Sequence, residues 1–317
     1  MRIIYVGTGE IGLPSFKALL EHDAFEVVGL ITQPDKPAGR KQALKSPATK
    51  ALAMEYDVPV WQPERINHEE VLHEIAQLKP DLAIVCAYGQ ILKKEILHLP
   101  SLGCLNIHAS LLPAYRGAAC IQEALRQGDK KTGITIMWMD EGLDTGDILL
   151  SGELDILPDD TAGTLHDRLA EFAPEILITA LLKIGDGTAP RIPQNNDQAS
   201  YVGRLKKQSG RINWEKSARE ICNHVRAMTP WPTAFTMIRA EDGSDKTLKL
   251  FDVILNDVDS TAAEPGQILV AEGNHLVIST GQGSIQVRAL QIEGRKRMST
   301  RDFLLGYSLK AGSHLDR

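Results

Sequence analysis

Apolar positions in the first two hundred residues alternate between short unbroken runs and helical spacing. Residues 3–6, 25–32, 82–87, 103–108 and 134–139 are runs of the kind buried on both faces of a parallel sheet, and residues 58–61 form a shorter one. Between them, Leu13–Leu20, residues 66–78, 119–127 and 164–184 carry apolar side chains at helical intervals. Strands and helices in alternation predict an α/β domain with a doubly wound, mostly parallel sheet. Periodicity is lost over residues 185–208, where Gly185, Gly187, Pro190, Pro193, Asn195, Asn196 and Gly203 give a linker composition.

Beyond that segment the period shortens. Ala218–Ala227 reads as a helix, followed by alternating runs at residues 235–238, 247–254, 267–270, 276–279 and 284–290. Glycine and acidic turns separate them, as at Asp242-Gly243 and Glu264-Pro265-Gly266. Short strands at this spacing predict a small OB-like β-barrel. The expected organisation is therefore a domain over residues 1–189, a linker over 190–206 and a C-terminal domain over 207–317.

At 317 residues, 43% hydrophobic and 24% charged, the composition is that of a globular protein large enough for two cores. No stretch approaches the length of an apolar membrane span. The start, Met1-Arg2-Ile3-Ile4-Tyr5-Val6-Gly7, lacks the features of a signal peptide. Cys86, Cys104, Cys120 and Cys222 show no metal-site or disulfide spacing, so reduced thiols in a cytoplasmic protein are expected. The net charge of −6 is unevenly spread: through Leu205 there are 19 basic against 28 acidic residues, and from Lys206 onward 16 against 13. The basic second part is compatible with a polyanionic partner and with ordinary scatter.

Several motifs carry candidate chemistry. Gly7-Thr8-Gly9-Glu10-Ile11-Gly12 has the spacing of a dinucleotide-binding turn between a strand and a helix. Yet Thr32 and Gln33 stand where a ribose-binding acid belongs, which favours a purely structural turn over dinucleotide binding. Residues 33–47 form a long polar insertion with Lys36, Arg40, Lys41 and Lys45, either a solvated loop or a phosphate-binding arm. Asn106 and His108 close a strand two residues apart, so an amide and an imidazole project from one face near the carboxyl edge of the sheet. Residues 110–117 then form a Pro- and Gly-pinned loop. Residues 140–147, Asp-Glu-Gly-Leu-Asp-Thr-Gly-Asp, do not match a calcium loop and have no His/Cys companions, so no metal is expected. They offer a solvated turn or a carboxylate that tunes a neighbouring base. Lys206, Lys207 and Arg211, with Arg295, Lys296 and Arg297, form two basic clusters on the C-terminal part.

Taken together, these residues resemble the methionyl-tRNA formyltransferases of the folate-dependent formyltransferase family. Residues 106–113, Asn-Ile-His-Ala-Ser-Leu-Leu-Pro, look like the family signature, and Arg116-Gly117-Ala118-Ala119 and Asp144-Thr145-Gly146-Asp147-Ile148 look like its continuation. Residues 32–40 resemble the tRNA enzymes' inserted basic loop, and residues 210–214, 290–296 and 298–299 resemble their C-terminal domain. Cys120 replaces the family's usual proline, and the chain is less lysine-rich after Arg40.

The resemblance implies formyl transfer from 10-formyltetrahydrofolate to the α-amino group of initiator methionyl-tRNA, by a monomer in the cytoplasm. It assigns catalysis to Asn106, His108 and Asp144. Folate binding falls to Ser110, Leu111, Leu112 and Pro113 with Gln90, Ile91 and Leu92, and tRNA binding to the ten cations named above. Asn106 and His108 would donate to a tetrahedral oxyanion, and Asp144 would favour the cationic imidazole and help move the amine proton. Residues 1–189 would then be the catalytic domain and 207–317 a tRNA-binding barrel. A nicotinamide-dependent dehydrogenase, a non-catalytic RNA-binding protein and a sugar-nucleotide formyltransferase remain as rival readings.

Overall fold

A computed structural model of the chain describes residues 1–38, 43–239 and 243–316. The chain divides into two compact units. The first holds Met1–Cys120, Lys131–Asp155 and His166–Val202; the second holds Ile121–Lys130, Ile156–Leu165 and Gly203–Arg317. The segment with linker composition is structurally tied to the first unit. Its strand Tyr201–Val202 pairs in parallel with Arg116–Gly117, and Ile192 bridges to Ile148.

The first unit is built on a seven-stranded sheet in the order Ile148–Asp155, Lys131–Trp138, Cys104–His108, Leu82–Cys86, Arg2–Gly7, Glu26–Ile31, Val60–Trp61. The last five run parallel. The first two are antiparallel to their neighbours. The predicted parallel core runs are the most deeply buried: Ile3, Ile4, Tyr5 and Val6 are at most 1% exposed. The edge strand Ile148–Asp155 gives no continuous apolar run, because only one of its faces is covered and Ser151, Gly152 and Glu153 interrupt the pattern. The helices Leu13–Leu20 and Ala162–Gly185 match helical spacing in the sequence, whereas Ala48–Glu55 follows the basic insertion without a clear apolar stripe.

The glycine turn after the first strand is filled by the protein itself. The Tyr5 hydroxyl donates to the Gly12 carbonyl at 2.8 Å, and the Tyr5 ring stacks on Phe16 at 4.5 Å. A Cβ on Gly12 would lie 2.2 Å from that hydroxyl and 2.9 Å from the Cys86 sulfur. Thr32 and Gln33, at the place of the missing acid, hold neighbouring segments: Thr32 Oγ1 bonds to the Thr8 and Thr49 hydroxyls, and Gln33 Nε2 donates to the Tyr88 carbonyl. The glycines serve close packing of the turn against the adjacent strand.

The second unit contains an antiparallel sheet of Ala234–Arg239, Asp245–Asn256, Ser284–Ile292, His275–Ser279 and Ile268–Glu272, with Met298–Ser299 added beside Ser284–Ile292. Irregular register around Asp252 lets the long strand curl. Both edge strands bond to the chain end: Asp316 N donates to Met237 O, and Ile268 N donates to Ser313 O. The tail thus bridges the two edges and closes the barrel, which removes exposed strand edges. Leu248, Leu250, Leu276, Ile278, Ile285 and Leu290 fill its interior at 0% exposure.

The Gly12–Tyr5 packing gives a direct expectation. Gly12→Ala should lower stability by roughly 1–3 kcal/mol through overpacking, and by less in a Tyr5→Phe background, where the nearest clashing oxygen is gone. Thermal or urea unfolding of the four proteins checks it; equal penalties in both backgrounds would mean that Tyr5 does not fill this turn.

Candidate active site

The strand Cys104–His108 supplies two side chains by alternation, with Asn106 beside Val85 on one flank and Met137 on the other. The loop between Lys131–Trp138 and Ile148–Asp155 brings Asp144 over the same face. Asp144 Oδ1 accepts from Asn106 Nδ2 at 3.2 Å, and Oδ2 accepts from the Gly117 amide at 2.7 Å. His108 Nδ1 lies 3.7 Å from Asp144 Oδ2. The other ring nitrogen, Nε2, is 3.0 Å from the Tyr115 carbonyl and must donate to it, which places a proton on Nε2. The three expected catalytic residues therefore meet at one carboxylate. The placement of His108 is specific: both ring nitrogens face protein groups, so neither N–H is free toward the cleft described below.

Two backbone strains hold this arrangement. Asp144 and Tyr115 adopt φ of +52° and +60°, left-handed conformations that cost a side-chain-bearing residue about 1–2 kcal/mol. Such residues persist where neighbours over-determine them. Around Tyr115, Ser110 Oγ donates to Ala114 O, Thr135 Oγ1 donates to Ser110 O, and the Tyr115 amide donates to Ser200 Oγ. Gly117, at φ +108°, has no room for a Cβ: it would sit 2.3 Å from the Val202 carbonyl.

A cleft of about 180 Å³ opens beside Asn106 and Asp144. Its walls are Val85, Leu92, Met137, Met139 and Leu143, with the backbone turn of residues 87–91 and the acidic loop from Asp140. Gln90, Ile91 and Leu92 line it; Ser110, Leu111, Leu112 and Pro113 are not among its walls, and there Ser110 Oγ donates to Ala114 O and the Leu112 amide donates to Thr135 Oγ1. Gln90 spends both ends of its amide on the backbone of Ile66 and Glu64, so it braces the wall. Apolar walls with a few convergent polar groups suit a flat heteroaromatic ligand with hydrogen-bonding edges. The side chains that sequence reasoning missed are Thr135, Met137, Met139 and Gln194. Gln194 lies in the aperiodic segment, where no pattern marks it.

No cysteine is poised as a nucleophile. All four are buried and outside any disulfide, and burial pushes the Cys86 and Cys104 thiols up to about 12. Among the described residues no group of three His, Cys, Asp or Glu side chains is placed to hold a metal ion. No described helix is long and apolar enough to cross a membrane.

Of the cations expected to bind tRNA, Arg40 and Lys41 lie outside the described residues. Lys36 and Lys45 are exposed and directly opposite each other on the antiparallel ribbon Lys36–Ala38 and Ala43–Lys45. The ribbon is anchored by Asp35, which accepts from Gln62 Nε2 at 2.7 Å, from Lys50 Nζ at 3.0 Å and from Ser46 Oγ at 2.9 Å. These bonds, that of Gln62 foremost, hold the Asp35 carboxyl below the usual carboxylate range. On the second unit Lys206, Lys207 and Arg211 surround the short Lys207–Gly210 turn, with Arg211 3.5 Å from Asp316. Arg295, Lys296 and Arg297 are exposed on the turn before Met298–Ser299, where Arg297 stacks over Phe251.

Comparison with known proteins agrees with this architecture. The Formyl transferase family matches residues 1–181, and the Formyl transferase, C-terminal domain family matches residues 204–308. The methionyl-tRNA formyltransferase of Methylacidiphilum infernorum is 44% identical over 316 residues, 99% of this chain and 98% of that protein. That of Geobacter sulfurreducens is 44% identical over 99% of this chain and 96% of its own length. Among solved structures, the N-formyltransferase from Helicobacter canadensis, in complex with folinic acid and dTDP-3-aminofucose, shares the fold at a TM-score of 0.64 and 19% identity, over 90% of this chain and 98% of that one. With both domains matched and identity sustained over nearly the whole length, the chain belongs to the methionyl-tRNA formyltransferase family.

Proposed function

We propose that the protein transfers the formyl group of 10-formyltetrahydrofolate to the α-amino group of methionyl-tRNA, with Asn106, His108 and Asp144 as the catalytic residues. The convergence of all three on the Asp144 carboxylate, at the mouth of a cleft with apolar walls, is the observation that carries the reading. An α-amino group titrates near 7.7–8.0, so a useful fraction is already nucleophilic at neutral pH. Its nitrogen attacks the formyl carbon, a C–N bond forms and the formyl oxygen becomes an oxyanion. Asn106 has one amide hydrogen committed to Asp144 and a second free to donate to that oxyanion. The amine proton passes to the Asp144–His108 pair and on to N10 as the old C–N bond breaks. His108 reaches the oxyanion itself only by giving up its bond to the Tyr115 carbonyl.

Folate would be bound by Gln90, Ile91 and Leu92, which line the cleft, together with Ser110, Leu111, Leu112 and Pro113 on the loop that follows Asn106 and His108. In functional terms residues 1–189 form the catalytic domain, 190–206 the connection and 207–317 the tRNA-binding barrel, in a cytoplasmic monomer. The tRNA would be held by Lys36, Arg40, Lys41 and Lys45 near the catalytic face and by Lys206, Lys207, Arg211, Arg295, Lys296 and Arg297 on the barrel. Lys36 and Lys45 support this assignment, because like charges directly opposite on a ribbon repel until an anion lies between them.

The deciding experiment is formylation of charged initiator tRNA by the purified chain with 10-formyltetrahydrofolate. A chain inactive on methionyl-tRNA but active on an amino-sugar nucleotide would overturn the reading in favour of the sugar enzymes. Asn106→Ala should lower kcat about 10²–10³-fold with little change in Tm; near-normal turnover would remove Asn106 from the mechanism.

The double variant Lys36→Ala/Lys45→Ala should leave Tm unchanged while kcat/KM for methionyl-tRNA drops, and unaltered kinetics would discard the ribbon as a recognition element. Replacing Arg295, Lys296 and Arg297 by alanine should instead flatten the salt dependence of tRNA binding by roughly one unit of slope for each phosphate that is no longer neutralised. An unchanged slope would move those cations out of the interface.

A further inference from the structure

We propose that Gln194 is the positioning residue of this site: it sets the Asp144 loop and the Tyr115–Gly117 turn against each other through a single side-chain amide. The inference rests on the formyl-transfer reading of Asp144. Gln194 Nε2 donates to the carbonyl of Asp144 at 2.9 Å and to that of Gly146 at 2.7 Å, which uses both of its hydrogens. Its Oε1 accepts from Arg116 Nε at 3.1 Å and from an Arg116 terminal nitrogen at 2.8 Å. The orientation of the amide is chemically determined. Rotated by half a turn, it would present its NH2 to a guanidinium and its oxygen to two carbonyls, and every one of the four bonds would become a repulsion.

Arg116 is a rigid partner. It is 1% exposed, and two more of its donors go to Asn196 Oδ1 and the Tyr201 hydroxyl, each at 2.8 Å. It stands between Tyr115, whose carbonyl accepts a hydrogen bond from His108 Nε2, and Gly117, whose amide donates to Asp144 Oδ2. Gln194 therefore reaches Asp144 twice: directly at its main chain, and through Arg116 at the backbone that holds its carboxylate and the His108 ring. This answers how the left-handed conformation of Asp144 is maintained on an exposed acidic loop. Gln194 is not among the residues lining the cleft, so it acts on turnover through geometry rather than by touching substrate.

Gln194→Glu separates the two halves of this role. A carboxylate keeps, and with its charge strengthens, the acceptor fork for Arg116, but it has no hydrogens for the Asp144 and Gly146 carbonyls. The expected result is a kcat lowered about 10-fold or more, with KM for both substrates within about threefold, in a protein that still folds cooperatively with a Tm lowered only modestly. A double-mutant cycle with Asp144→Asn supplies the readout that a structural staple would not move. Single-turnover rates, measured with enzyme in excess and well below the lowest Tm of the set, should show the Gln194→Glu penalty largely abolished once Asp144 is replaced. A kcat within twofold of the parent, or a penalty undiminished in the Asp144→Asn background, would overturn the proposal. A parent protein inactive on methionyl-tRNA would instead sink the formyl-transfer reading, so the two failures are distinct.

Discussion

The candidate site hangs on one carboxylate. Asp144 collects donors from two segments far apart in sequence, the amide of Asn106 on a core strand and the backbone of Gly117 on a turn, and faces the His108 ring beside them. A carboxylate is acceptor-only, so each partner must bring a hydrogen, and the orientations of Asn106 and of the 115–117 turn follow from that. His108 is fixed from its other side by the Tyr115 carbonyl, which also determines its tautomer. The three side chains are thus fixed relative to one another by the protein's own groups.

The sheet makes this convergence available. Five parallel strands place Asn106 and His108 near a carboxyl edge, as α/β folds generally place their ligands. The reversal of direction at Lys131–Trp138 and Ile148–Asp155 then joins two adjacent strands by a short loop instead of a crossover helix, and that loop carries Asp144 back over the face bearing the other two. The antiparallel edge thus shapes the candidate site. The segment of residues 190–202 completes it by supplying Gln194, Asn196, Ser200 and the Tyr201–Val202 strand, all bonded to the site's own loops.

Recognition and chemistry rest on different physics. The chemistry is held by short, directional bonds among buried or half-buried groups. The cations proposed to meet tRNA are, among the described residues, exposed, and on the ribbon Lys36 and Lys45 oppose one another, an arrangement that favours an anionic partner over the free state. In the second unit the closure of the barrel by the chain end gives its basic turn a stable base while leaving Arg295, Lys296 and Arg297 at the surface.

Much of this was legible in the amino-acid sequence. Runs such as residues 3–6 and 82–86 are continuous because both faces of a central strand are buried, and the period of two placed Asn106 and His108 on one face. The signature residues around them and the acidic loop carried the family likeness and nominated Asp144. What local pattern does not encode is which distant groups meet. The glycine turn matched a nucleotide motif, and only the neighbouring Tyr5 and Cys86 show that the missing Cβ atoms serve packing. The sequence pattern assigned Ser110 to Pro113 only as a loop beside Asn106 and His108, and the fold adds their bonds to Ala114 and Thr135. Gln194 carried no signal, since an amide in an aperiodic, Pro- and Asn-rich segment looks like a solvated linker. Its role arises from four hydrogen bonds to Arg116, Asp144 and Gly146, dozens of residues away, and a hydrogen bond across such separations exists only once the tertiary fold has brought its two ends together.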